Sequence, residues 1–288
     1  MKYEIKNDYL TAIIDSKGAQ LIELIDENGV NRMHDTNHDS WKKVSPILFP
    51  QISRMRNLSY KVKGKNYHMP AHGFLRDNEL MVNKKENNFI EFKFVSNNDT
   101  YLMYPYHFEF YVRYSLNYKR LIVEFKVINL DDSDMLFMLG GHPGFNLFTD
   151  NKINYNDYYV KFEKKETIDA MQVVDGYLAN VYKRVLTNQD YINLSHEIFN
   201  PDAIVMRNLK SKYLDILCKK SDFDIRFYYP DFEILAIWST TIDKDNFVCL
   251  EPWDGIQKEF VEDHEKMGVL SLKGHDTYKV SYTIEIIK

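Results

Sequence analysis

Cysteine is scarce in this chain of 288 residues, and its two cysteines, Cys218 and Cys249, belong to no recognisable motif. They form neither a C-x-x-C pair nor a disulfide framework, so we expect a reducing compartment. The opening stretch MKYEIKNDYL lacks the apolar core of a signal peptide. No apolar run approaches the roughly 20 residues of a membrane span. We therefore predict a cytoplasmic protein with no membrane partner.

The chain also lacks an excess of basic charge. Its net charge is −5, its isoelectric point is near 6.0, and its lysines and arginines are scattered without a long run. Nucleic-acid binding normally requires a basic surface that neutralises phosphates, so we exclude a nucleic-acid partner. The hydrophobic share of 44% and the charged share of 27% are typical of a globular protein with a large core.

Several catalytic and cofactor motifs are absent. The chain contains no G-x-G-x-x-G, no Walker A sequence, no G-x-S-x-G and no H-E-x-x-H. His196-Glu197 begins like a zinc-protease motif, but the second histidine is missing. We therefore expect no nucleotide cofactor and no serine-hydrolase chemistry.

Alternation of apolar and polar residues dominates the sequence and predicts β-strands. Apolar residues share one face on each side of the turn at 117–120, which predicts a hairpin. The clearest of the few helical patterns covers Gln189–Phe199. Further strands are predicted at Tyr9–Asp15, Ala19–Ile25, Phe89–Val95, Asp224–Tyr229, Glu233–Ser239, Phe247–Glu251 and 278–286.

The number of short strands favours an all-β fold, either a β-sandwich or a barrel. No linker rich in Pro, Gly or Ser, no low-complexity tract and no repeat divides the chain. We therefore predict one domain spanning residues 1–288, although the pattern does not give the order of the strands.

Three stretches place a chemically active side chain at the edge of an apolar strand. They are LGGHPGFNL with His142, PAHGFLR with His72, and CLEPWDG with Glu251. Glycine beside each histidine lets the backbone turn or lets another group approach closely. Because Pro252 cannot donate a hydrogen bond to a neighbouring strand, we expect the strand to stop there and to leave Glu251 at its rim.

A histidine beside glycine is more often structural than catalytic when it stands alone. We give that structural interpretation to the remaining seven: His34, His38, His68, His107, His196, His264 and His275. The combination of Glu251 with His142 and His72 is different, since a carboxylate and an imidazole form a general acid–base pair near neutral pH. The same three residues also fit a two-histidine, one-carboxylate metal triad. No short-range pair of ligands supports a metal, so we favour acid–base chemistry.

At these stretches the sequence resembles the aldose 1-epimerase (galactose mutarotase-like) superfamily, and within it the LacX-like branch. The similarity covers almost the whole chain. Each motif is weak alone, but their order and separation are specific: GAQL, LFPQISR, HGFLRD, YSLNYKRLIVEFKVINL, GGHPGFNL, IWS and CLEPWDG.

The resemblance implies a large antiparallel β-sandwich with a sugar-binding cleft and cofactor-free epimerisation at the anomeric carbon of an aldose. By matching motifs, Glu251 is expected to be the general base, His142 the general acid, and His72 a hydrogen-bonding partner of the sugar near its ring oxygen. Arg54 matches a substrate-contacting arginine, and Arg76 is expected near the cleft. A homodimer is left open by the sequence.

The chain departs from the family pattern in places that concern the choice of sugar. Ser53 replaces the usual glycine before the first arginine, and Gly141 replaces an alanine before the catalytic histidine. Galactose mutarotases also use an aspartate to bind sugar hydroxyls, and no motif locates it here. The preference between galactose and glucose is therefore not given by the sequence.

Three other functions are compatible with these residues. The first is epimerisation of phosphorylated hexoses, with Arg54, Arg56 or Arg76 binding the phosphate, since the planar guanidinium meets phosphate oxygens in pairs. The second is a sugar-binding module without catalysis, against which the intact Glu–His pair argues. The third is a metal-dependent protein on a similar sandwich.

Overall fold

The computed structural model describes residues 1–36, 40–174, 176–256 and 269–288. These residues form short helical segments at α1 (Asn98–Met103) and at the 3-10 helices Arg56–Leu58, Leu75–Asp77, Tyr155–Asp157 and His196–Phe199. Their strands are β1 (Lys2–Lys6), β2 (Leu10–Asp15), β3 (Gln20–Asp26), β4 (Ile47–Leu48), β5 (Ser59–Val62), β6 (Lys65–His68), β7 (Met81–Lys85), β8 (Phe89–Val95), β9 (Phe108–Asn117), β10 (Arg120–Asn129), β11 (Met135–Phe137), β12 (Leu139–Gly141), β13 (Gly144–Asn146), β14 (Tyr158–Val174), β15 (Tyr177–Asn193), β16 (Ile204–Arg207), β17 (Tyr213–Cys218), β18 (Asp224–Tyr228), β19 (Ile234–Trp238), β20 (Phe247–Asp254), β21 (Leu270–Leu272) and β22 (Thr277–Ile286).

Most strands belong to one large sheet whose neighbours run in the order β4-β12-β20-β19-β16-β14-β17-β18-β22-β10-β9-β8-β7. β13 also pairs with β20, and β15 pairs with β14. Smaller sheets are formed by β1-β2-β3, by β5-β6 and by β11-β21. The ladders between these strands are antiparallel, which confirms the predicted all-β antiparallel sandwich.

The alternation in the sequence produces the central part of the core. In the β9–β10 hairpin, Val123 lies opposite Tyr114 and Phe125 lies opposite Val112. β22 covers the other edge of β10 and places Tyr282 opposite Val123. These side chains are almost fully buried, because successive residues of a strand point to opposite faces and one face meets the second layer. The predicted hairpin is therefore confirmed.

The predicted helix at Gln189–Phe199 is wrong over most of its length. β15 continues to Asn193, and only His196–Phe199 forms a short 3-10 helix. β15 pairs with β14 through contacts such as Val160 opposite Ile192. This partner supplies the backbone hydrogen bonds, and such tertiary pairing overrides the weak local preference for a helix.

The expectation that the strand ends before Pro252 is also wrong. β20 continues to Asp254, and Pro252 lies opposite Leu235 of β19. The Leu250 N–H donates to the Pro143 carbonyl on the other side of β20. Because the pattern repeats every two residues, the Pro252 nitrogen points to that same side, between the last pair of β20 with β12 and the first pair of β20 with β13. The missing donor therefore costs no ladder hydrogen bond.

Two findings concern the predicted compartment. Within the described ranges, no helix has the length and apolar character needed to span a membrane. Cys218 and Cys249 are both buried and free.

The core predicts a clear stability difference between two truncations. Phe125 is buried against Phe110 and Tyr282, so Phe125→Ala should lower the free energy of unfolding by about 3–5 kcal/mol. Leu102 is 75% exposed, and Leu102→Ala should change it by no more than about 0.5 kcal/mol. Urea denaturation of both variants measures the change in the free energy of unfolding. Equal losses would contradict the packing described here.

Candidate active site

One cavity of about 380 Å³ contains all five residues that the sequence singled out, namely Glu251, His142, His72, Arg54 and Arg76. They come from distant parts of the chain, and the sheet brings them together. Its other lining residues are Trp41, Pro46, Ser53, Ala71, Val173, Gly176, Leu178, Asp202, Ala203, Trp238 and Trp253.

His142 lies where the sheet is interrupted between β12 and β13, both of which pair with β20. The glycines around it allow aromatic rings to approach the backbone. A Cβ atom at Gly140 would lie 2.8 Å from the Trp253 ring, and one at Gly144 would lie 2.7 Å from the Trp41 ring. The glycines of the LGGHPG stretch are thus needed for close packing, and two of the rings that they admit line the cavity.

Glu251 lies inside β20 opposite Ala236, and its side chain is almost completely buried. Its Oε2 atom is 3.2 Å from Nε2 of His142. Burial raises the pKa of the Glu251 carboxyl well above its ordinary value, and the nearby Asp202 carboxyl adds to this rise. Burial likewise lowers the pKa of the His142 imidazole, and His72 acts in the same direction. Both shifts have the same cause, because a low-polarity site disfavours charge.

The two shifts together favour the state of the Glu251–His142 pair that carries no net charge. A second proton would create a buried cation, and removal of the last proton would leave a buried anion. Both shifts therefore favour a pair with one shared proton and no net charge. Proton transfer from one partner to the other leaves the total charge at zero.

His72 is fixed as a neutral ring by its surroundings. The backbone N–H of Ser53 donates to Nδ1 of the His72 ring at 3.2 Å. The backbone N–H of His72 in turn donates to the Ser53 carbonyl at 2.8 Å. Burial lowers the pKa of His72 to about 3, and Arg76 and Arg54 contribute to the shift. Since Nδ1 accepts a hydrogen bond, the ring proton is on Nε2. His72 can therefore donate from Nε2 to a ligand.

The turn that carries His72 is unusual. His72 has φ = 62° and Ser53 has φ = 64°, both in the left-handed region. Gly73 has φ = 74°, and a Cβ atom there would lie 2.1 Å from the Phe49 carbonyl oxygen. Only glycine fits at that position, which explains the glycine after His72 in the HGF stretch.

The two arginines lie at the same cavity in different environments. Arg76 donates from Nη2 to the Ala71 carbonyl at 2.7 Å, and burial lowers its pKa. Its buried Nε atom has no hydrogen-bond partner among the described residues. The distance from this Nε atom to Oδ2 of Asp77 is 3.7 Å. Arg54 is exposed, and Gly176 at the tip of the β14–β15 hairpin lies close to its guanidinium.

Asp202 is a cavity residue that sequence reasoning missed. It follows Pro201 in an ordinary polar loop, so no motif marks it. Its φ is 124°, and burial raises the pKa of its carboxyl. Its position at the cavity, near enough to affect Glu251, makes it a candidate for the sugar-binding aspartate that could not be placed from the sequence.

Aromatic residues form much of the remaining wall. All three tryptophans of the chain, Trp41, Trp238 and Trp253, line this cavity. The sequence offered part of this signal, since Trp238 and Trp253 belong to the IWS and CLEPWDG motifs, whereas Trp41 belongs to none of the motifs singled out. Intrinsic tryptophan fluorescence therefore reports on this site alone.

Three of the histidines that received a structural interpretation, His107, His196 and His275, are not among the cavity residues. His196 stacks on Tyr155 and contacts the Thr240 carbonyl, while His107 and His275 contact Asp131 and Asp132. His38 and His264 lie outside the described residues. Among the described residues, no group of three or more His, Cys, Asp or Glu side chains is placed to hold a metal ion. The metal-triad interpretation gains no support from this geometry.

The chain is similar to known proteins over its whole length. Residues 1–269 match the family model described as aldose 1-epimerase. The plasmid-encoded protein LacX of Lactococcus lactis subsp. lactis is 31% identical over 299 aligned positions, which cover 100% of both chains.

Two solved structures are similar in fold. A galactose mutarotase related enzyme from Lactobacillus acidophilus superimposes with a TM-score of 0.95 at 30% identity, over 100% of this chain and 98% of that one. A galactose mutarotase-like protein from Lactobacillus casei gives a TM-score of 0.93 at 24% identity, over 99% and 100% of the two chains. The match to the family model and the 31% identity to LacX show that the chain belongs to the aldose 1-epimerase family.

Proposed function

We propose that this protein is an aldose 1-epimerase, or mutarotase, that interconverts the α and β anomers of an aldose. The observation that carries the proposal is the buried contact between Glu251 Oε2 and His142 Nε2 at 3.2 Å, at a cavity with polar groups suited to a sugar. A site that only binds sugar has no need for two buried groups that share one proton.

The proposed reaction uses this pair as base and acid. The anomeric hydroxyl and the ring oxygen are bonded to the same carbon, so adjacent protein groups can reach both. Glu251 takes the hydroxyl proton while His142, when it holds the shared proton, protonates the ring oxygen, and the ring opens without a free oxyanion. After rotation about the C1–C2 bond, closure on the other face reverses the two roles. Each correctly placed acid or base typically contributes about 10²–10⁴-fold.

The other cavity residues are assigned to substrate binding. Neutral His72 would donate from Nε2 to a sugar oxygen, because its Nδ1 already accepts from Ser53. Arg54 and Arg76 would donate to hydroxyl oxygens, and Asp202 would accept from hydroxyl groups. Such contacts hold the ring in a reactive orientation, which is a large part of enzymatic rate enhancement.

Replacement of the base tests the proposal. Glu251→Gln should lower the rate of anomer exchange by roughly 10²–10⁴-fold, because an amide cannot accept the proton. The measurement is NMR exchange or polarimetry with α-D-galactose and α-D-glucose. Glu166→Gln is a matched control, since Glu166 is another buried glutamate, is not among the cavity residues, and accepts hydrogen bonds from Ser211 that an amide oxygen can also accept.

Two results would contradict this assignment. Near-normal exchange by a folded Glu251→Gln protein would show that Glu251 is not the base. A wild-type protein that changes its tryptophan fluorescence with sugar, but accelerates the exchange of no aldose, would instead indicate a sugar-binding module.

The buried pair also predicts the pH dependence. With ordinary values of about 4.3 and 6.5, a glutamate base and a histidine acid would be active only between those limits. Here the pKa of His142 is lowered and that of Glu251 is raised. The lowered pKa of His142 then sets the acid limit and the raised pKa of Glu251 sets the alkaline limit, so the pH profile of kcat/KM should be broader than that of an ordinary glutamate–histidine pair. A fall of about tenfold per pH unit above 6.5 would contradict the shared-proton state.

A phosphorylated aldose is the second candidate substrate, and the arginines favour it. Two guanidinium groups line the cavity, and Arg76 Nε is buried without a hydrogen-bond partner in the described part of the chain. The Asp202 and Glu251 carboxyls have raised pKa values, so they offset this positive charge less than ordinary carboxylates would. The side chain of Arg56, the third arginine considered from the sequence, lies outside what the structure describes.

A comparison of neutral and phosphorylated sugars separates these substrates. If the arginines bind phosphate, wild-type kcat/KM should be higher for glucose 6-phosphate than for glucose. Arg76→Gln should then reduce it by roughly 10- to 100-fold on the phosphate ester, since a charged hydrogen bond contributes about 1.5–3 kcal/mol. Arg113→Gln, an arginine stacked on Phe89 and absent from the cavity lining, should leave it unchanged. An equal loss on glucose and on its phosphate would assign Arg76 to hydroxyl binding.

A further inference from the structure

We propose that Trp41 is a positioning residue whose indole ring sets the plane of the His142 imidazole. The proposal rests on the function proposed above for His142. It assigns to Trp41 a role in the rate of the reaction rather than in affinity for the sugar.

Aromatic rings contact His142 from several sides. The Trp41 ring stacks on the imidazole, with ring centroids 5.0 Å apart and an angle of 29° between the planes. Trp238 packs edge-on at 5.7 Å and 82°, and His72 packs edge-on at 5.9 Å and 77°. Stacked and edge-on pairs at these distances have preferred geometries, so they restrict rotation of the central ring.

Hydrogen bonding alone does not fix this ring. A catalytic histidine is usually oriented by a hydrogen bond to the ring nitrogen that does not take part in the reaction. Nδ1 of His142 is buried, and no hydrogen bond joins it to another residue that the structure describes. The contact from Nε2 to Glu251 is a single point about which the ring could still tilt. The stacked Trp41 face supplies the missing restraint.

Trp41 is itself held in place by its neighbours. Phe247 stacks against it at 5.3 Å and 16°, and His34 stacks against it at 5.2 Å and 25°. His34 Nε2 also lies 3.2 Å from the Trp41 carbonyl oxygen. The absence of a side chain at Gly144 leaves the space that the indole occupies. Trp41 is therefore well enough fixed to position another ring.

A role in sugar binding is the competing explanation, because Trp41 also lines the cavity. The two roles affect different kinetic constants. Loss of a sugar-stacking surface raises KM and leaves kcat unchanged, whereas misplacement of the acid lowers kcat. The division between kcat and KM therefore distinguishes them.

The experiment compares Trp41→Leu with Trp41→Phe in anomer exchange of α-D-galactose and α-D-glucose. Trp41→Leu removes the stack and should lower kcat roughly 10- to 100-fold with KM nearly unchanged, since small misplacements of reacting groups cost up to about 100-fold. Trp41→Phe keeps an aromatic face and should restore most of the loss. A rise in KM alone, or an equal effect of Leu and Phe, would overturn the proposal.

Two further variants serve as controls. Tyr101 stacks on His107 at 4.8 Å and 29°, nearly the same geometry, but neither ring lines the cavity. Tyr101→Leu should leave kcat and KM unchanged. Gly144→Ala should displace the indole and lower kcat as Trp41→Leu does. When both changes are combined, the effects should not add, because the alanine no longer meets the Trp41 ring. Full additivity would contradict the proposal.

A spectroscopic measurement tests the Trp41–His142 stack even if the protein epimerises none of these sugars. In the wild type, the His142 imidazole protons lie over the indole face and should show an upfield ring-current shift in the NMR spectrum. The shift should disappear in Trp41→Leu and remain largely in Trp41→Phe. His142 resonances that are identical in wild type and Trp41→Leu would overturn the proposal independently of any activity.

Discussion

The site depends on the burial of Glu251 and His142 against each other at 3.2 Å. A buried carboxylate and a buried imidazolium are each unfavourable alone, so the pair is stable with a single proton between them. Glu251 can be buried in this way because it lies inside β20, with β19 on one side and the interruption between β12 and β13 on the other. His142 occupies that interruption.

The glycines around His142 have a common physical cause. Gly140, Gly141 and Gly144 each lie so close to an aromatic ring that a Cβ atom would come within 2.9 Å of it. His142 lies at a break in the sheet, yet it is buried because aromatic rings pack around it. The same close packing raises the pKa of the carboxyl and lowers that of the imidazole, so the motif controls both the geometry and the electrostatics of the pair.

Much of this arrangement was predictable from the sequence. The features that were not predictable were missed for physical reasons. The alternation of apolar and polar residues predicted the β9–β10 hairpin correctly, since this pattern is a local property of the sequence. Glu251 was identified, but its place inside a strand was not, because the break that accommodates Pro252 belongs to neighbouring strands. Asp202 and Trp41 were missed since each reaches the cavity from a loop without a motif. The residue types that a loop brings to a distant sheet cannot be read from local sequence.

In the proposed mechanism, the charges of the cavity residues assign proton transfer to one group of residues and selection of charged substrates to another. Transfer of a proton within the Glu251–His142 pair does not change the net charge, so the pair has little electrostatic preference for a neutral or an anionic sugar. Selection between neutral and anionic sugars is then assigned to charged groups outside the pair, and Arg54 and Arg76 are two such groups among the cavity residues. Arg54 is exposed and lies beside the tip of the β14–β15 hairpin. In the proposed mechanism, a preference for an anionic over a neutral sugar therefore depends on the arginines rather than on the Glu251–His142 pair.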